Sequence, residues 1–236
     1  MSALLLSLIA LALVLAGCSS GSSTGSASAP SSAGKSDTKT DKDPNAGVKN
    51  GTKLKAALLT AKDVPSGFKV DKGFVRDTAD VFGPDAKVVP PAKSACKQLD
   101  TNVWVSGAGY GSASFAQTSY KSSFGGEIDA EIDGFRGTDS ASVMDNLRKL
   151  YKLCPSFKIT VPGVGKATMK LTSKAGPKVG DESIAATLTS ETLKGGTTLA
   201  AIRVGTSVVS VLYSSPNKDQ GAKALKLAET MAGRLS

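Results

Sequence analysis

SIAATLTSETLKGGTTLAAIRVGTSVVSVLY, residues 183–213, is the stretch that commits this chain to a fold. Small and β-branched apolar side chains alternate with Thr and Ser, and the pattern breaks only around Lys194-Gly195-Gly196 and at Gly205-Thr206. A period of two with β-branched residues between glycine turns reads as strands over 183–192, 197–204 and 207–213. The last two are joined by the two residues Gly205-Thr206, which is hairpin spacing. Just upstream, 157–161 and 166–173 read as two further strands. Earlier in the chain 103–105, 112–119 and 127–135 show the same period, separated by glycine-rich turns. Helical spacing appears at 54–59, at 92–99 and at 138–154. The last of these places Val143, Leu147, Leu150 and Cys154 on one face, with Asp139 or Ser140 as cap and Arg148, Lys149 and Lys152 near its C-terminal end. A final helix runs from Asn217, whose reach to Gln220 forms a capping box, through Ala222, Leu225, Ala228, Met231 and Leu235. Strands in consecutive blocks bracketed by helices give an α+β class: a twisted, mainly antiparallel sheet flanked by a few helices, expected on one face only.

Ahead of this body lies a segment of different character. Residues 3–16 (ALLLSLIALALVLA) are uncharged and apolar, too short for comfortable bilayer crossing but the length of a signal-peptide core. No Lys or Arg precedes the run, a departure from the usual positive n-region. Leu15-Ala16-Gly17-Cys18 then looks like a bacterial lipobox, in which cleavage before Cys18 accompanies acylation of its thiol by chains such as palmitate. Two acyl chains, at roughly 0.8 kcal/mol per buried methylene, suffice for stable attachment. An ordinary secreted protein is the competing reading. Residues 19–52 contain no Leu, Ile, Phe, Met, Trp or Tyr, too little apolar surface to offset ordering entropy. The expected organisation is therefore a signal peptide over 1–17, a lipid-anchored disordered linker over 18–52 spanning on the order of 30 Å, and one extracellular domain over 53–236. Its expected address is the outer face of the cell membrane, with the membrane itself as a partner through the N-terminal lipid.

Charge and missing residue types exclude several chemistries. The formal net charge is +9, and the linker's four Lys and three Asp account for little of it. The basic residues are scattered, mostly Lys, and lack interleaved aromatics, so no nucleic-acid partner is expected. Histidine is absent, which removes Ser-His-Asp triads, Cys-His dyads and imidazole-bound zinc together. No G-x-G-x-x-G, phosphate loop or metal-ligand spacing occurs, so neither cofactor nor metal is expected. With Cys18 acylated, Cys96 and Cys154 remain as an even pair in an oxidising compartment, the arithmetic of one disulfide.

Two constellations stand out. Glu127, Asp129, Glu131 and Asp133 alternate with Ile128, Ala130 and Ile132, which places four carboxylates on one face of one strand. They are either a solvated face, paired across the ladder with Lys166, Lys170 and Lys174 of a neighbouring strand, or a cation site, or the acid/base carboxylates of a carbohydrate hydrolase. The solvated face is favoured, and no catalytic residue is assigned. Trp104, Tyr110, Phe115 and Tyr120 cluster near Gly107, Gly109 and Gly111 and could line an apolar ligand cleft.

Leu58-Leu59-Thr60-Ala61-Lys62-Asp63-Val64-Pro65-Ser66-Gly67-Phe68, Cys154-Pro155-Ser156-Phe157, Val179-Gly180-Asp181-Glu182-Ser183-Ile184-Ala185 and Arg203-Val204-Gly205-Thr206-Ser207-Val208-Val209 together resemble the PknH-like extracellular sensor domain. That domain occurs in actinobacterial lipoproteins and at the outer end of some membrane Ser/Thr kinases. The resemblance spans most of 54–236. It implies a twisted antiparallel sheet with flanking helices and a cleft for an unidentified ligand. It also implies disulfides, two local ones in that family, whereas one long-range pair is possible here. The expected function is a non-catalytic, sensor-like domain that binds a small molecule, a lipid or a cell-wall fragment. The alternative is an interaction module that regulates a membrane partner.

Overall fold

The structure, a computed structural model, describes residues 43–161, 163–216 and 221–236. The signal peptide, Cys18, most of the linker and the Asn217–Gln220 capping box lie outside the described residues. Among these, nine strands form one sheet in which every pairing is antiparallel: β1 (Phe68–Val70), β2 (Arg76–Asp77), β3 (Ser114–Ser122), β4 (Glu127–Gly134), β5 (Ser156–Val161), β6 (Gly165–Ala175), β7 (Glu182–Ser190), β8 (Gly196–Val204) and β9 (Ser207–Ser215). Their order is β1-β3-β4-β9-β8-β7-β6-β5, with β2 also on β3. The run β5 to β9 is a meander of neighbours, and β9 then docks on β4, so the earlier hairpin β3–β4 completes the sheet. The Gly205-Thr206 turn sits where the sequence places it, and Val204 faces Ser207 across it.

Helices cover both faces, not one as expected from the alternation. On the first face α1 (Gly51–Ala57) and α4 (Gly221–Leu235) pack on Ile128, Ala130, Ile132, Ala200, Ile202, Val209 and Val211. On the second, α2 (Trp104–Gly107), α3 (Asp139–Leu153) and a 3-10 helix over Lys93–Asp100 bury Leu199, Ala201, Val208 and Leu212. The central strands are thus apolar on both sides, and each fully buried Ile or Leu contributes about 1.5–3 kcal/mol. The edge strand β5 keeps the clean alternation, with Lys158 and Thr160 exposed, which discourages further strand addition.

Four local expectations are corrected. Val103-Trp104-Val105 is not a strand: Trp104 opens α2, because three apolar residues are too few to separate the two periods and burial of the indole decides. Neither Asp139 nor Ser140 caps α3. Thr138 is its N-cap without a side-chain bond, while the Ser140 hydroxyl donates to Gly205 O at 2.8 Å. The buried stripe of α4 is Ala224, Leu227, Ala228, Met231, Ala232 and Leu235, leaving Ala222 exposed.

The fourth concerns the linker, whose residues 43–52 belong to the folded body. Asn50 accepts from Lys53 N at 3.0 Å as the N-cap of α1. Lys49 O accepts from Ser114 Oγ at 2.6 Å, Gly47 O from Thr206 Oγ1 at 2.8 Å, and Asn45 Oδ1 from Arg136 Nε at 2.9 Å. Hydrogen-bond acceptors on the backbone and on Asn45 and Asn50 order this segment, so its lack of large apolar side chains misplaces the boundary.

Candidate functional site

β4 carries the main electrostatic feature. Its alternation sends Ile128, Ala130 and Ile132 into the first core and Glu127, Asp129, Glu131 and Asp133 to the second face, as the period requires. The solvated reading of that face is overturned. Asp129 is 5% exposed, Glu131 3% and Asp133 0%. The imagined Lys partners are absent because β9, β8 and β7 separate β4 from β6. The actual cross-strand neighbours are Ser119 and Leu212 for Asp129, Gln117 and Ser210 for Glu131, and Phe115 and Val208 for Asp133. Of the four, only Glu127, at the start of the strand, forms an ion pair among the described residues, with Lys121 Nζ at 3.5 Å.

Among the described residues Asp129 Oδ1, Glu131 Oε2 and both Asp133 oxygens have no hydrogen-bond partner. A buried carboxylate without a partner favours its neutral form. Burial pushes Asp129 up to about 7, with Ser119 drawing it back only in part. Burial likewise lifts Asp133 to about 7. Glu131 rises well above the carboxylate range, through burial first and the neighbouring Asp133 second, with Arg76 opposing. The strand therefore holds protons near neutral pH.

This ladder opens at one end. Where Glu127 begins β4 and Ser214 approaches the end of β9, Asp100, Thr101 and Asn102 close over the sheet and leave a cleft of about 280 Å³ lined by these residues, Asp129 and Leu212. An adjoining depression of about 290 Å³ shares Asp100 and Ser214, and Ile159, Met169, Leu188 and Leu193 supply its apolar wall. The Asp100 carboxyl is also raised by burial, although the residue as a whole is exposed at the rim. A larger depression of about 700 Å³ lies under the β7–β8 hairpin, between Thr187, Thr198 and Pro216.

The rim is held from below. Cys96 and Cys154 form the disulfide that their number suggests, with Cα atoms 5.6 Å apart, joining the 3-10 helix to the end of α3. Leu99 is fully buried, and Thr101 Oγ1 donates to Gln98 O at 2.7 Å to close the last turn. Asp181 and Glu182, in contrast, are structural. Arg203 donates from Nε to Glu182 at 2.6 Å and from Nη1 to Asp181 at 2.9 Å, and Arg148 reaches Glu182 from α3. Burial raises the Glu182 carboxyl, but the bonds from Arg148 and Arg203 outweigh it and hold the group low.

The aromatic cleft does not form. Trp104 and Tyr110 are buried in the second core, the indole 6.2 Å from the Tyr151 ring. Tyr120 is buried in the first core, its hydroxyl donating to Leu59 O at 2.7 Å. Phe115 is half-buried. The sheet separates Tyr120 from the other three, because Phe115 and Tyr120 lie five residues apart on β3 and so face opposite sides. Of the carboxylates singled out in the sequence, only Glu127 and Asp129 reach the cleft. Asp100, Thr101, Asn102, Leu212 and Ser214 carry no motif that marks them in advance. Among the described residues no group of three or more Cys, Asp or Glu side chains converges to hold a metal ion.

No family model matches the chain, and no curated protein does. The fold is similar to the crystal structure of the extracellular domain of PknH from Mycobacterium tuberculosis, with a TM-score of 0.61 at 15% identity over 80% of this chain and 97% of that one. At this identity the likeness is one of fold, and at that level it agrees with the resemblance read from the motifs.

Proposed function

We propose that this chain is a lipoprotein, anchored through Cys18 to the outer face of the cell membrane, whose α+β domain is a non-catalytic sensor-like module binding a small molecule, lipid or cell-wall fragment. The observation that carries the reading is the two-walled cleft at the open end of β4, one wall polar and the other apolar. Such a mixture orients a ligand rather than merely burying it. The fold shared with an extracellular domain supports the address, as does a disulfide spanning 58 residues, which suits an oxidising compartment. No helix among the described residues is long and apolar enough to cross a membrane; in this reading the anchor is the lipobox Cys18. Against catalysis, Glu131 and Asp133 are sealed from the cleft, and without histidine the chain lacks the usual neutral-pH base.

Two measurements test this. Metabolic labelling with an alkyne fatty acid should tag the wild type and miss Cys18→Ala, which should also leave the membrane fraction. Native mass spectrometry of the protein released from its own membranes should show a retained small molecule. A bare polypeptide mass in every preparation would remove the ligand-binding half of the reading.

A further inference from the structure

Three features of the cleft narrow the chemistry of its occupant. Asp129 lines it, is 5% exposed, and has an oxygen with no hydrogen-bond partner. The polar wall presents the carboxylates of Asp100, Glu127 and Asp129, and no Lys or Arg occurs among the described residues lining that half. On a chain of net charge +9 this is a local reversal of sign. The adjoining wall of Ile159, Met169 and Leu188 calls for an apolar body.

Resting on the reading of this cleft as a ligand site, we infer that its ligand is an organic ammonium: a protonated amine seated against Asp129, with its hydrocarbon part along the apolar wall. A metal ion is the poorer fit, because the carboxylates do not converge as a ligand set. An anion would meet the acidic wall. A neutral alcohol would leave a buried carboxylate without a charged partner, whereas an ammonium N–H supplies a charge-assisted bond. The groups around Asp129 are consistent with this. Lys121 stands at 2.8 Å from Asp71 and 3.5 Å from Glu127, so those carboxylates already engage it. Arg76 acts on Glu131, deeper along the strand. Lys194 lines the apolar half.

The test uses the full-length protein in phosphatidylcholine nanodiscs, with empty nanodiscs as blank, titrated with n-hexylammonium, n-hexanol, n-hexanoate and calcium by calorimetry. Hexylammonium should bind about tenfold tighter than hexanol, the scale of one charge-assisted bond, and hexanoate and calcium should not bind. Asp129→Asn should reduce hexylammonium to the level of hexanol. Glu127→Gln, at a half-exposed position that threatens no core, should weaken it less. Because Asp129 titrates at about 7, wild-type affinity for the amine should rise about tenfold from pH 6 to pH 8, and that slope should vanish in Asp129→Asn. Equal binding of hexanol and hexylammonium, tight calcium binding, or an amine affinity indifferent to both variants would overturn the amine assignment. Hexanol and hexylammonium bound equally well by wild type and by Asp129→Asn, or a retained natural ligand without nitrogen, would do so while leaving the cleft a binding site. If no probe binds and no ligand is retained, both readings fall.

Discussion

Replacing Asp129 by Asn should change how stability depends on pH, and the size follows from the structure. In the unfolded chain this carboxyl ionises near its ordinary value of 3.8, whereas in the fold burial raises it to about 7. Below 3.8 both states hold the proton and the group adds no cost. Between 3.8 and 7 only the folded state holds it, so stability falls as pH rises, by 1.36 kcal/mol per unit. Above 7 the full penalty of about 4 kcal/mol is in place. Asp133 and Glu131 act with the same sign. The carboxylates held low act in the opposite sense: Asp71 by Lys121, Asp77 by Lys55, and Glu191 by Lys170. Their contributions are present above their unfolded values and are lost only as pH falls through lower ones. Wild type should therefore be more stable at pH 5 than at pH 8, the reverse of ordinary acid lability. Asparagine cannot ionise, and any cost of its amide is independent of pH. The stabilising effect of Asp129→Asn should thus be about 3 kcal/mol greater at pH 8 than at pH 5. Urea unfolding followed by Trp104 fluorescence measures this directly, since Trp104 is the only tryptophan and is 1% exposed. A variant whose effect is the same at both pH values, or a wild type more stable at pH 8, would refute the assignment of a buried, proton-holding strand.

Two further outcomes concern the scaffold. Loss of the disulfide in Cys96→Ala/Cys154→Ala should lower stability by about 4 kcal/mol on the chain-entropy estimate, and hydrogen exchange should accelerate first over 93–103, the segment carrying the cleft rim. Arg203→Ala should cost about 2 kcal/mol, below the roughly 3–5 kcal/mol of a fully buried pair because Arg203 and Glu182 each keep 22% of their side-chain surface exposed; chemical denaturation of Arg203→Ala beside Glu182→Gln measures it.

The sheet was largely legible because its signal is local. Strands β5 and β6 carry clean alternation, β7 to β9 are short apolar runs rich in Thr, Ser and β-branched residues between glycine turns, and Gly205-Thr206 announces its hairpin without reference to anything distant. The short pieces were less so. Val103-Trp104-Val105 matches both periods, and burial of Trp104 against Tyr151 settles the matter only after α3 is in place. Residues 43–52 carry little apolar signal, and their order comes largely from polar contacts such as those at Lys49 O and Gly47 O. The face carrying Glu127, Asp129, Glu131 and Asp133 was correctly drawn, but its environment was not. Alternation specifies that four carboxylates share a side, and says nothing of which strand or helix lies over them.

By itself, then, the amino-acid order determined the α+β class, a mainly antiparallel sheet with its Gly205-Thr206 hairpin, the one available cysteine pair and the common face of the four acidic side chains, all consequences of spacing along a single strand, helix or count. Only the tertiary structure decided that this face is covered by α2 and the 3-10 helix, that β9 and not β6 stands beside β4, and that Asp100, Asn102 and Ser214 meet Asp129 around one opening. Strand order and layer stacking arise from contacts between residues far apart in the chain, and the proton affinity of a carboxyl depends on what those contacts exclude, water above all.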